Sequence, residues 1–303
     1  MGEATDSVQV GVAGDGREFS SRPAADDGGC AMRDTECTAF LQWALPQLGR
    51  SWPGYRKVRR LVCKRLARRL RWLGLADLEQ YRRHLDAHAE EWKHFDCLCG
   101  IPISRFYRDA AVFDALEHLV LPTLAATATA QSRTTIDCWS AGCASGEESY
   151  TLAMLWALRL QPRFPQLDAR IVATDLDARA LVRARAGRYA PSSLKELPQE
   201  LRVAGYEPAD GEWRVRDQFR QLEFLHQDLR EAMPAGPFDL VLCRNAVLTY
   251  YAPPVRLAIM HRIAARMRPE GALVVGSHES LPDGLVGFTP WPGARAIHRR
   301  VPD

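Results

Sequence analysis

Apolar residues recur at three- and four-residue steps through the first third of the chain, a spacing that predicts helices. One apolar stripe begins at Ala39 and is interrupted by Pro53 and Gly54. Gly74 ends the second stripe, as glycine often does at a helix C-terminus. We therefore predict a helical N-terminal domain over residues 37–118. Its second stripe consists of Tyr55, Val58, Val62, Leu66, Leu70 and Leu73, and two further helices are predicted over 75–88 and 90–98.

Beyond Pro122 the pattern changes to short apolar runs of strand length that alternate with helical stretches. Such alternation is typical of a parallel sheet with helices on both faces, so the predicted fold class is α/β. The end of the chain predicts an antiparallel hairpin that closes the sheet, with arms at 286–288 and 294–299. Strands are predicted over 136–139, 170–174, 222–225, 238–243 and 272–276, and helices over 150–160, 178–186 and 254–267.

Two stretches depart from this alternation. Residues 125–135 are rich in Ala and Thr and are interpreted as a linker or a helix end. Farther on, two short runs at 212–215 and 218–224 are predicted to pair as strands. We therefore predict a small β insertion over residues 190–226, inside a second domain that spans residues 119–303.

Composition limits the class of protein and its compartment. The chain has 303 residues, 47% of them apolar, which suffices for one large domain or two smaller ones. No apolar run approaches the roughly 20 residues that span a bilayer, and no signal-peptide core is visible, so we expect a cytoplasmic protein. Residues 1–36 are rich in Gly, Ala, Asp and Ser without an apolar period, and we predict a disordered tail there.

The eight cysteines show no C-x-x-C pair and no Cys/His set with zinc spacing. We interpret them as reduced thiols that pack like small hydrophobic residues, and we expect no metal site. They lie at positions 30, 37, 63, 97, 99, 138, 143 and 243.

The most informative segment follows the first predicted strand, in the run from Ser140 to Glu148. Gly142 and Gly146 allow close approach of the backbone to a ligand, and the next helix points its amide end at this loop. The loop lacks the lysine of a phosphate loop and carries two carboxylates, Glu147 and Glu148, which repel phosphates. They suit S-adenosylmethionine, whose sulfonium and ammonium are positive and whose ribose is unphosphorylated. The alternative is an ordinary tight turn between strand and helix.

Polar residues also follow the other predicted strands, where doubly wound folds bind ligands. Asp175 stands where nucleotide-binding folds place a carboxylate that binds ribose hydroxyls. An equal alternative is that Asp175 or Asp177 is the N-cap of the next helix. Asp228 is a candidate acceptor for the adenine amino group. Together these strand ends predict S-adenosylmethionine as the cofactor, with contacts that also include Gly142, Leu229, Asn245 and Ala246.

At this point the sequence resembles the CheR-type methyltransferases, which methylate glutamates of bacterial chemoreceptors. The resemblance is specific in residues 104–109, 139–148, 173–177 and 238–245. It implies a helical N-terminal domain, a Rossmann-like methyltransferase domain and a small inserted β subdomain. It also implies that Ser104 and Arg108 face the cofactor and the reaction centre, that Glu147, Asp175, Asp228 and Asn245 contact the cofactor, and that Arg244 and Tyr250 lie near the substrate carboxylate.

The chain departs from the family pattern at several of these positions. The family usually has Thr at Ser104, Asn at Pro102 and Asn at Asp228. The run after Asn245 is one residue longer than the usual form, so Tyr250 and Tyr251 are both candidates for the substrate side.

The implied chemistry needs positioning more than proton transfer. A glutamate side chain has a pKa near 4.3 and is already an anion at pH 7, so its methylation needs no general base. Arginine grips a carboxylate in a fixed plane, which makes Arg108 and Arg244 the candidates for this role. The alternative for each is a structural ion pair with Asp109 or Asp239. A tyrosine hydroxyl is expected to orient the second carboxylate oxygen.

The predicted helix over 55–74 is strongly basic, although the net charge of the whole chain is only +3. In CheR-like proteins such a helix is thought to meet an acidic receptor segment, which implies a protein partner here. The structural alternative is a solvated face, and nucleic acid is disfavoured because no aromatic residues alternate with the charges. The cations are Arg56, Lys57, Arg59, Arg60, Lys64, Arg65, Arg68, Arg69 and Arg71.

The first hypothesis is therefore a protein-glutamate O-methyltransferase, monomeric and without membrane insertion. A methyltransferase of the same fold that acts on another carboxylate or nucleophile outside chemotaxis is the second. A non-catalytic signalling module that binds the cofactor is the third.

Overall fold

The computed structural model describes residues 32–301 of the chain. The tail was predicted over residues 1–36, and its part up to Ala31 lies outside the described residues. Its last residues begin the first helix, α1 (Asp34–Gln47), so the predicted tail extends too far. Asp34 and Glu36 in the first turn suit the positive end of the helix dipole, which explains why the helix starts here.

Among the described residues five helices form the N-terminal part; the periodicity predicts four of them, and the short α2 forms where a break was predicted. They are α1, α2 (Trp52–Tyr55), α3 (Arg59–Leu73), α4 (Leu78–Ala87) and α5 (Ala89–Leu98). Each turns its apolar stripe toward one shared cluster, to which α3 contributes Val62, Leu66 and Leu70. Gly74 ends α3 in the left-handed conformation at φ 70°, which any residue with a side chain adopts less readily.

A disulfide joins Cys37 of α1 to Cys63 of α3. The expectation that all the cysteines are reduced thiols is therefore wrong for this pair. Their separation of 26 residues matches no sequence signature, and only the packing of α1 against α3 brings them together. The other cysteines in the described part of the chain are free, and all of them except Cys97 are buried.

The second part is built on a seven-stranded sheet in the order β6-β2-β1-β7-β8-β10-β9. The first five strands in that order run parallel, and β10 and β9 add the predicted antiparallel hairpin at one edge. The strand order reverses at β1, so the crevice for a ligand is expected beyond its C-terminal end. The strands are β1 (Thr135–Ala141), β2 (Asp168–Asp175), β6 (Glu223–His226), β7 (Phe238–Leu242), β8 (Met267–Val274), β9 (Phe288–Pro290) and β10 (Ile297–Arg300).

Helices cover both faces of this sheet, which confirms the α/β class. Residues of β1, β7 and β8 alternate between two separate apolar clusters, one on each face. The helices are α6 (Ala110–Ala130, with a π turn at Leu116–Val120), α7 (Glu147–Leu155, continued by a π turn at Trp156–Leu160), α8 (Ala178–Ala186), α9 (Gln199–Gly205), α10 (Val247–Tyr250) and α11 (Pro253–Ala264).

Helix α6 belongs to the sheet rather than to the N-terminal helices. Its apolar residues, among them Leu116, Leu121 and Leu124, join the cluster under the sheet. The domain boundary predicted between residues 118 and 119 therefore falls inside a helix, and the change of cluster comes between Cys99 and Phe106. Among the described residues, this one helix is long and apolar enough to cross a membrane by length and composition alone.

The predicted β insertion forms a three-stranded sheet in the order β3-β5-β4. Its strands are β3 (Arg188–Tyr189), β4 (Tyr206–Ala209) and β5 (Glu212–Val215). The predicted pairing of 212–215 with 218–224 is wrong, because β5 pairs with β3 and β4 instead. The end of the second run becomes β6 at the edge of the main sheet.

Candidate active site

A cleft of about 810 Å³, counting its open mouth, lies beyond the C-terminal ends of the parallel strands. The predicted contacts Gly142, Asp175, Leu229, Asn245 and Ala246 all line it. The N-terminal helices and the segment after them supply the opposite wall. The remaining residues that line the cleft are Arg50, Cys97, Cys99, Gly100, Ile101, Pro102, Ala144, Leu176, Asp177, Gln227, Val247, Tyr250 and Tyr251.

The loop after β1 forms the floor of the cleft. The backbone amides of Gly142 and Cys143 donate to the carbonyl oxygen of Thr174 at 2.8 and 3.0 Å, which folds the loop over the end of β2. Gly142 has φ 82°, and a Cβ there would lie 2.8 Å from the Cβ of Ala246. Any side chain at this position would therefore push the loop away from Ala246 and reshape the floor.

The structure assigns the N-cap role, which the sequence left open between Asp175 and Asp177, to Asp177. Asp177 is the N-cap of α8 and accepts from the amides of Arg179 and Ala180. Asp175 lies in the cleft, where its two oxygens accept from the amides of Ala144 and Asp177 at 2.7 and 2.8 Å. Burial raises the pKa of Asp175, and these amide hydrogen bonds offset part of that rise. Each oxygen keeps a second lone pair, so the carboxylate can still accept from a ligand hydroxyl.

Asn245 reaches the cleft through a turn that Glu279 holds. Its backbone is left-handed at φ 52°, and its amide donates to Glu279 Oε2 at 2.9 Å. The same carboxylate accepts from the Gly276 amide and from the Thr249 hydroxyl, at 2.7 and 2.5 Å. Glu279 could not be found from the sequence, because it follows β8 and is 34 residues from Asn245 along the chain.

The neighbours Gln227 and Asp228 differ in their surroundings. Asp228 does not line the cleft, because its carboxylate accepts a fork of hydrogen bonds from Arg230 at 2.5 to 2.9 Å. Despite the opposing effect of burial, these hydrogen bonds hold the pKa of Asp228 below its ordinary value. The neighbouring Gln227 lines the cleft, and the contact of Asp228 with the cofactor stays a prediction.

Glu147 lies just beneath the cleft at the start of α7. It is buried, and burial raises the pKa of its carboxyl group, while its own amide and the nearby Ser104 hydroxyl lower it in part. Its Oε2 makes no hydrogen bond to any residue from 32 to 301. Ser104 and Glu147, two predicted cofactor contacts, are thus brought together, although neither lines the cleft. A buried acceptor without a partner is costly and fits a cationic ligand group.

Arg108 is close enough to Tyr250 for its positive charge to oppose the rise in the pKa of Tyr250 that burial causes. Its guanidinium donates to the carbonyl of Ile103 at 3.2 Å. Tyr250 and Tyr251 both line the cleft. The ring of Tyr251 lies beside Arg50 and Arg230, whose guanidinium carbons are 4.9 and 5.6 Å from its centroid, and the ring of Tyr250 packs against that of Tyr55.

Arg244 takes the structural alternative. It is buried, and it donates to Glu148 at 2.9 Å and to Asp109 and the Arg108 carbonyl at 2.8 Å. It does not line the cleft, and its side chain is only 3% exposed. The prediction that Arg244 binds a substrate carboxylate is therefore wrong. It instead clamps the segment that carries Arg108 to the end of β7.

An ionic network that the sequence did not reveal fixes the opposite wall. Asp96 of α5 accepts from Arg50 Nε at 2.6 Å and from Arg230. Arg50 also donates to the Tyr55 hydroxyl at 2.8 Å. The network joins α2 and α5 to the residues after β6. It could not be predicted because its members are spread over three distant stretches of the chain.

Backbone hydrogen bonds reinforce this junction. The amide of Ser51 donates to the carbonyl of Tyr250, and the amide of Ala252 donates to the carbonyl of Gly49, each at 2.9 Å. Arg50 and Tyr251 form an antiparallel bridge between them. Both tyrosines of the cleft are therefore anchored directly to the N-terminal helices.

The basic helix divides into engaged and exposed cations. Arg59 pairs with Asp34, Arg65 donates to the carbonyls of Leu98 and Gly100, and Arg69 pairs with Glu91. A second group is exposed and forms no ion pair with any described residue. Its members within α3 are Arg60, Lys64, Arg68 and Arg71.

The acceptors of the cleft fit S-adenosylmethionine. Asp175 suits a ribose hydroxyl and the unpartnered Gln227 oxygen suits an amino group, while the unpartnered Glu147 oxygen, outside the lining, suits a cationic group. The cleft-lining residues bring no lysine and only one arginine, and Arg50 is already bound to Asp96. A phosphate would find little to bind here.

Known proteins resemble this chain over the same residues. The family model described as CheR methyltransferase, SAM binding domain, matches residues 103–292, which include every cleft residue named above except those numbered 102 or lower. Chemotaxis protein methyltransferase 2 of Pseudomonas aeruginosa is 34% identical over 227 residues, which cover 73% of this chain and 78% of that protein.

Two further similarities complete the comparison. The chemotaxis protein methyltransferase of Escherichia coli is 33% identical over 231 residues, which cover 73% of this chain and 77% of that protein. Among solved structures, the S-adenosylmethionine-bound amino pentose methyltransferase CalS10 of Micromonospora echinaspora is 20% identical with a TM-score of 0.30, covering 56% of this chain and 55% of that one.

Proposed function

Because the chain belongs to the CheR family of S-adenosylmethionine-dependent methyltransferases, we propose that it forms a methyl ester on a glutamate side chain of a protein. The observation that carries this proposal is Arg108 beside Tyr250 at the edge of the cofactor cleft. Among the described residues its guanidinium finds one hydrogen-bond partner, the Ile103 carbonyl. It has five N–H donors, so most of its planar fork is left for a carboxylate.

The residues of the cleft support a mechanism based on positioning. S-adenosylmethionine supplies an electrophilic methyl group on a positively charged sulfur. Asp175, Gln227 and Asn245 line the cleft and would hold it from the strand ends, and the buried Glu147 would face its cationic group. Arg108 orients the acceptor carboxylate in one plane, and the Tyr250 hydroxyl donates to its second oxygen. No base is needed, since the acceptor is already ionised at neutral pH.

The proposal is tested by transfer of a tritiated methyl group from the cofactor into candidate acceptor proteins. Counts released by mild base diagnose a methyl ester, and base-stable counts would mean that another nucleophile is methylated. Arg108→Ala should reduce transfer at least a hundredfold while the cofactor Kd changes far less. Transfer that is unchanged in this variant would remove Arg108 from the mechanism.

We further propose that an acidic protein segment docks on the exposed face of α3. Arg60, Lys64, Arg68 and Arg71 follow one another at three- and four-residue steps, so they form one stripe along the helix. Such a stripe is complementary to a helix that presents glutamates. Reversing Lys64 and Arg68 to glutamate should raise the KM for the protein acceptor without changing the cofactor Kd. The exposed Arg295, outside α3, provides the control reversal.

We propose the cytoplasm as the place of action, since an intracellular receptor domain is the kind of acceptor that this stripe suits. Co-sedimentation of the protein with membranes that lack a candidate receptor would contradict this arrangement.

A further inference from the structure

Arg108 is held in place by its backbone more than by contacts of its own side chain. Among the described residues, its guanidinium makes one hydrogen bond, to the carbonyl of Ile103 at 3.2 Å. Its two neighbours in the chain, Tyr107 and Asp109, both have left-handed backbones, at φ 57° and 62°. That conformation is uncommon for residues other than glycine, and it persists only where surrounding contacts enforce it. The contacts of these two neighbours therefore determine where the Arg108 side chain points.

Asp109 is fixed by Arg244 and by the start of α6. Arg244 donates to the Asp109 carboxylate and to the Arg108 carbonyl, each at 2.8 Å. The Asp109 carbonyl accepts from the amide of Val112 at 2.8 Å, inside the first turn of α6. These contacts hold the chain on one side of Arg108. Tyr107, on the other side, needs an anchor of its own.

Two residues near the start of α6 provide that anchor. The rings of Tyr107 and Phe113 are stacked, with centroids 5.2 Å apart and 23° between their planes. The Tyr107 hydroxyl donates to Asp114 Oδ1 at 2.6 Å, a length typical of the strong hydrogen bonds that hydroxyls make to carboxylates. Burial and the Asp114 carboxylate both raise the pKa of Tyr107, so the hydroxyl keeps the proton that it donates.

The ring and the hydroxyl restrain Tyr107 in different ways. The ring is only 4% exposed, and its stack with Phe113 is an apolar contact that tolerates sliding and rotation. The hydrogen bond is directional, and it ties the far end of the side chain to one point of α6. Asp114 itself is exposed, so its side chain is available for this bond without any cost of burial.

We propose that Tyr107 is a positioning residue for methyl transfer. Its hydrogen bond to Asp114 fixes the left-handed backbone from which Arg108 extends, and thereby the plane in which the guanidinium meets the acceptor carboxylate. The inference rests on the proposed function, because it assumes that Arg108 orients that carboxylate. It concerns the alignment of the acceptor and leaves cofactor binding unchanged.

The test measures transfer of a tritiated methyl group from the cofactor to poly-L-glutamate. Tyr107→Phe keeps the stacked ring without the hydroxyl, and Asp114→Ala removes the acceptor. Each should lower kcat about tenfold, since a misplacement of about 1 Å can cost a hundredfold. The KM for poly-L-glutamate should stay close to its unaltered value, because the polymer docks on the α3 stripe. The double replacement should be no slower than either single one, since both remove the same bond.

Two further variants separate positioning from stability. Asp114→Asn keeps an oxygen that accepts from the hydroxyl, so it should restore kcat. Tyr81→Phe is the matched control, because the Tyr81 hydroxyl donates to Glu91 at 2.7 Å within the N-terminal helices. Both tyrosine variants should lose stability in urea, but only Tyr107→Phe should lose kcat. The proposal is overturned if Tyr107→Phe and Asp114→Ala keep their kcat, if Asp114→Asn is as slow as Asp114→Ala, or if Tyr81→Phe is equally slow.

A second measurement does not depend on the acceptor. The nitrogen-15 order parameter of the Arg108 amide, in the complex with S-adenosylhomocysteine, should be about 0.85 in the unaltered protein and in Asp114→Asn. It should fall below about 0.6 in Tyr107→Phe and in Asp114→Ala, and equal values in all four proteins would overturn the proposal. If the unaltered protein places no base-labile counts in poly-L-glutamate, that result speaks against the proposed function, and the order parameters alone decide the role of Tyr107.

Discussion

Removal of the Asp96 carboxylate should destabilise the protein more than almost any other single change outside its apolar core. Asp96 is 7% exposed and accepts from two arginines, one of which, Arg50, is 5% exposed. Asp96→Ala leaves both guanidinium groups without this partner, and that of Arg50 lies in a region that water barely reaches. Removing one member of a buried pair typically costs about 3 to 5 kcal/mol.

The contacts that remain set the expected value within that range. Arg230 keeps Asp228, and Arg50 keeps the Tyr55 hydroxyl and the ring of Tyr251. We therefore expect a loss of about 3 kcal/mol in the free energy of unfolding for Asp96→Ala. The paired replacement of Asp96 by Leu and Arg50 by Met removes both charges, and it should recover much of that loss because neither group is then left unpaired.

Urea unfolding, followed by fluorescence and circular dichroism, measures these differences. Glu196→Ala is the matched control, because it breaks the Arg105–Glu196 pair, whose side chains are 61% and 42% exposed. Such exposed pairs contribute little, so this variant should unfold close to the unaltered protein. The reasoning fails if Asp96→Ala loses less than about 1 kcal/mol, or if the double replacement is less stable than the single one.

Three further predictions concern the cleft. Arg244→Met should lower methyl transfer through the released segment 104–109, with faster amide hydrogen exchange there and a smaller change in cofactor Kd; unchanged exchange would contradict the clamp. Burial raises the pKa of Glu147, so without cofactor the folded protein binds the carboxyl proton more tightly than the unfolded chain does. The folded protein therefore loses stability as pH rises from the ordinary pKa of 4.5 through the raised pKa and Glu147 ionises. Glu147→Gln should therefore make the cofactor-free protein more stable at pH 7, and it should remove the fall in cofactor affinity that calorimetry is expected to show when acid protonates Glu147. Gly142→Ala should weaken cofactor binding and stability more than Gly211→Ala, because both have φ near 80° but a Cβ at Gly211 meets nothing within 4 Å. Equal effects would mean that strain alone matters.

The sequence predicts those parts of the molecule that depend on local pattern. The parallel sheet, the hairpin at its edge, the helices of the N-terminal part and the loop at Gly142 follow from apolar period and turn residues. Asp175 and Asn245 were found because a parallel sheet brings the ends of its strands to one edge. Their positions in the chain were enough to predict that they meet.

The site predictions fail where a side chain has several possible partners and the sequence does not show which one it binds. Arg108 and Arg244 both carry the charge for a carboxylate, and only the fold shows that Arg244 is occupied by Asp109 and Glu148. Asp228 and Gln227 are neighbours. The carboxylate of Asp228 is bound by Arg230, whereas Gln227 lines the cleft. No periodicity encodes such choices, since they depend on contacts between distant stretches.

The bridge between Arg50 and Tyr251 has a consequence for the order in which the protein folds. The two residues are roughly 200 positions apart, so a large loop must close before they meet, whereas α1 to α5 form contacts within about 65 residues of one another. The N-terminal helices can therefore assemble early, and the tyrosine wall of the cleft is completed late. Affinity for the cofactor should appear only in the last phase of refolding, after most of the helical signal has returned.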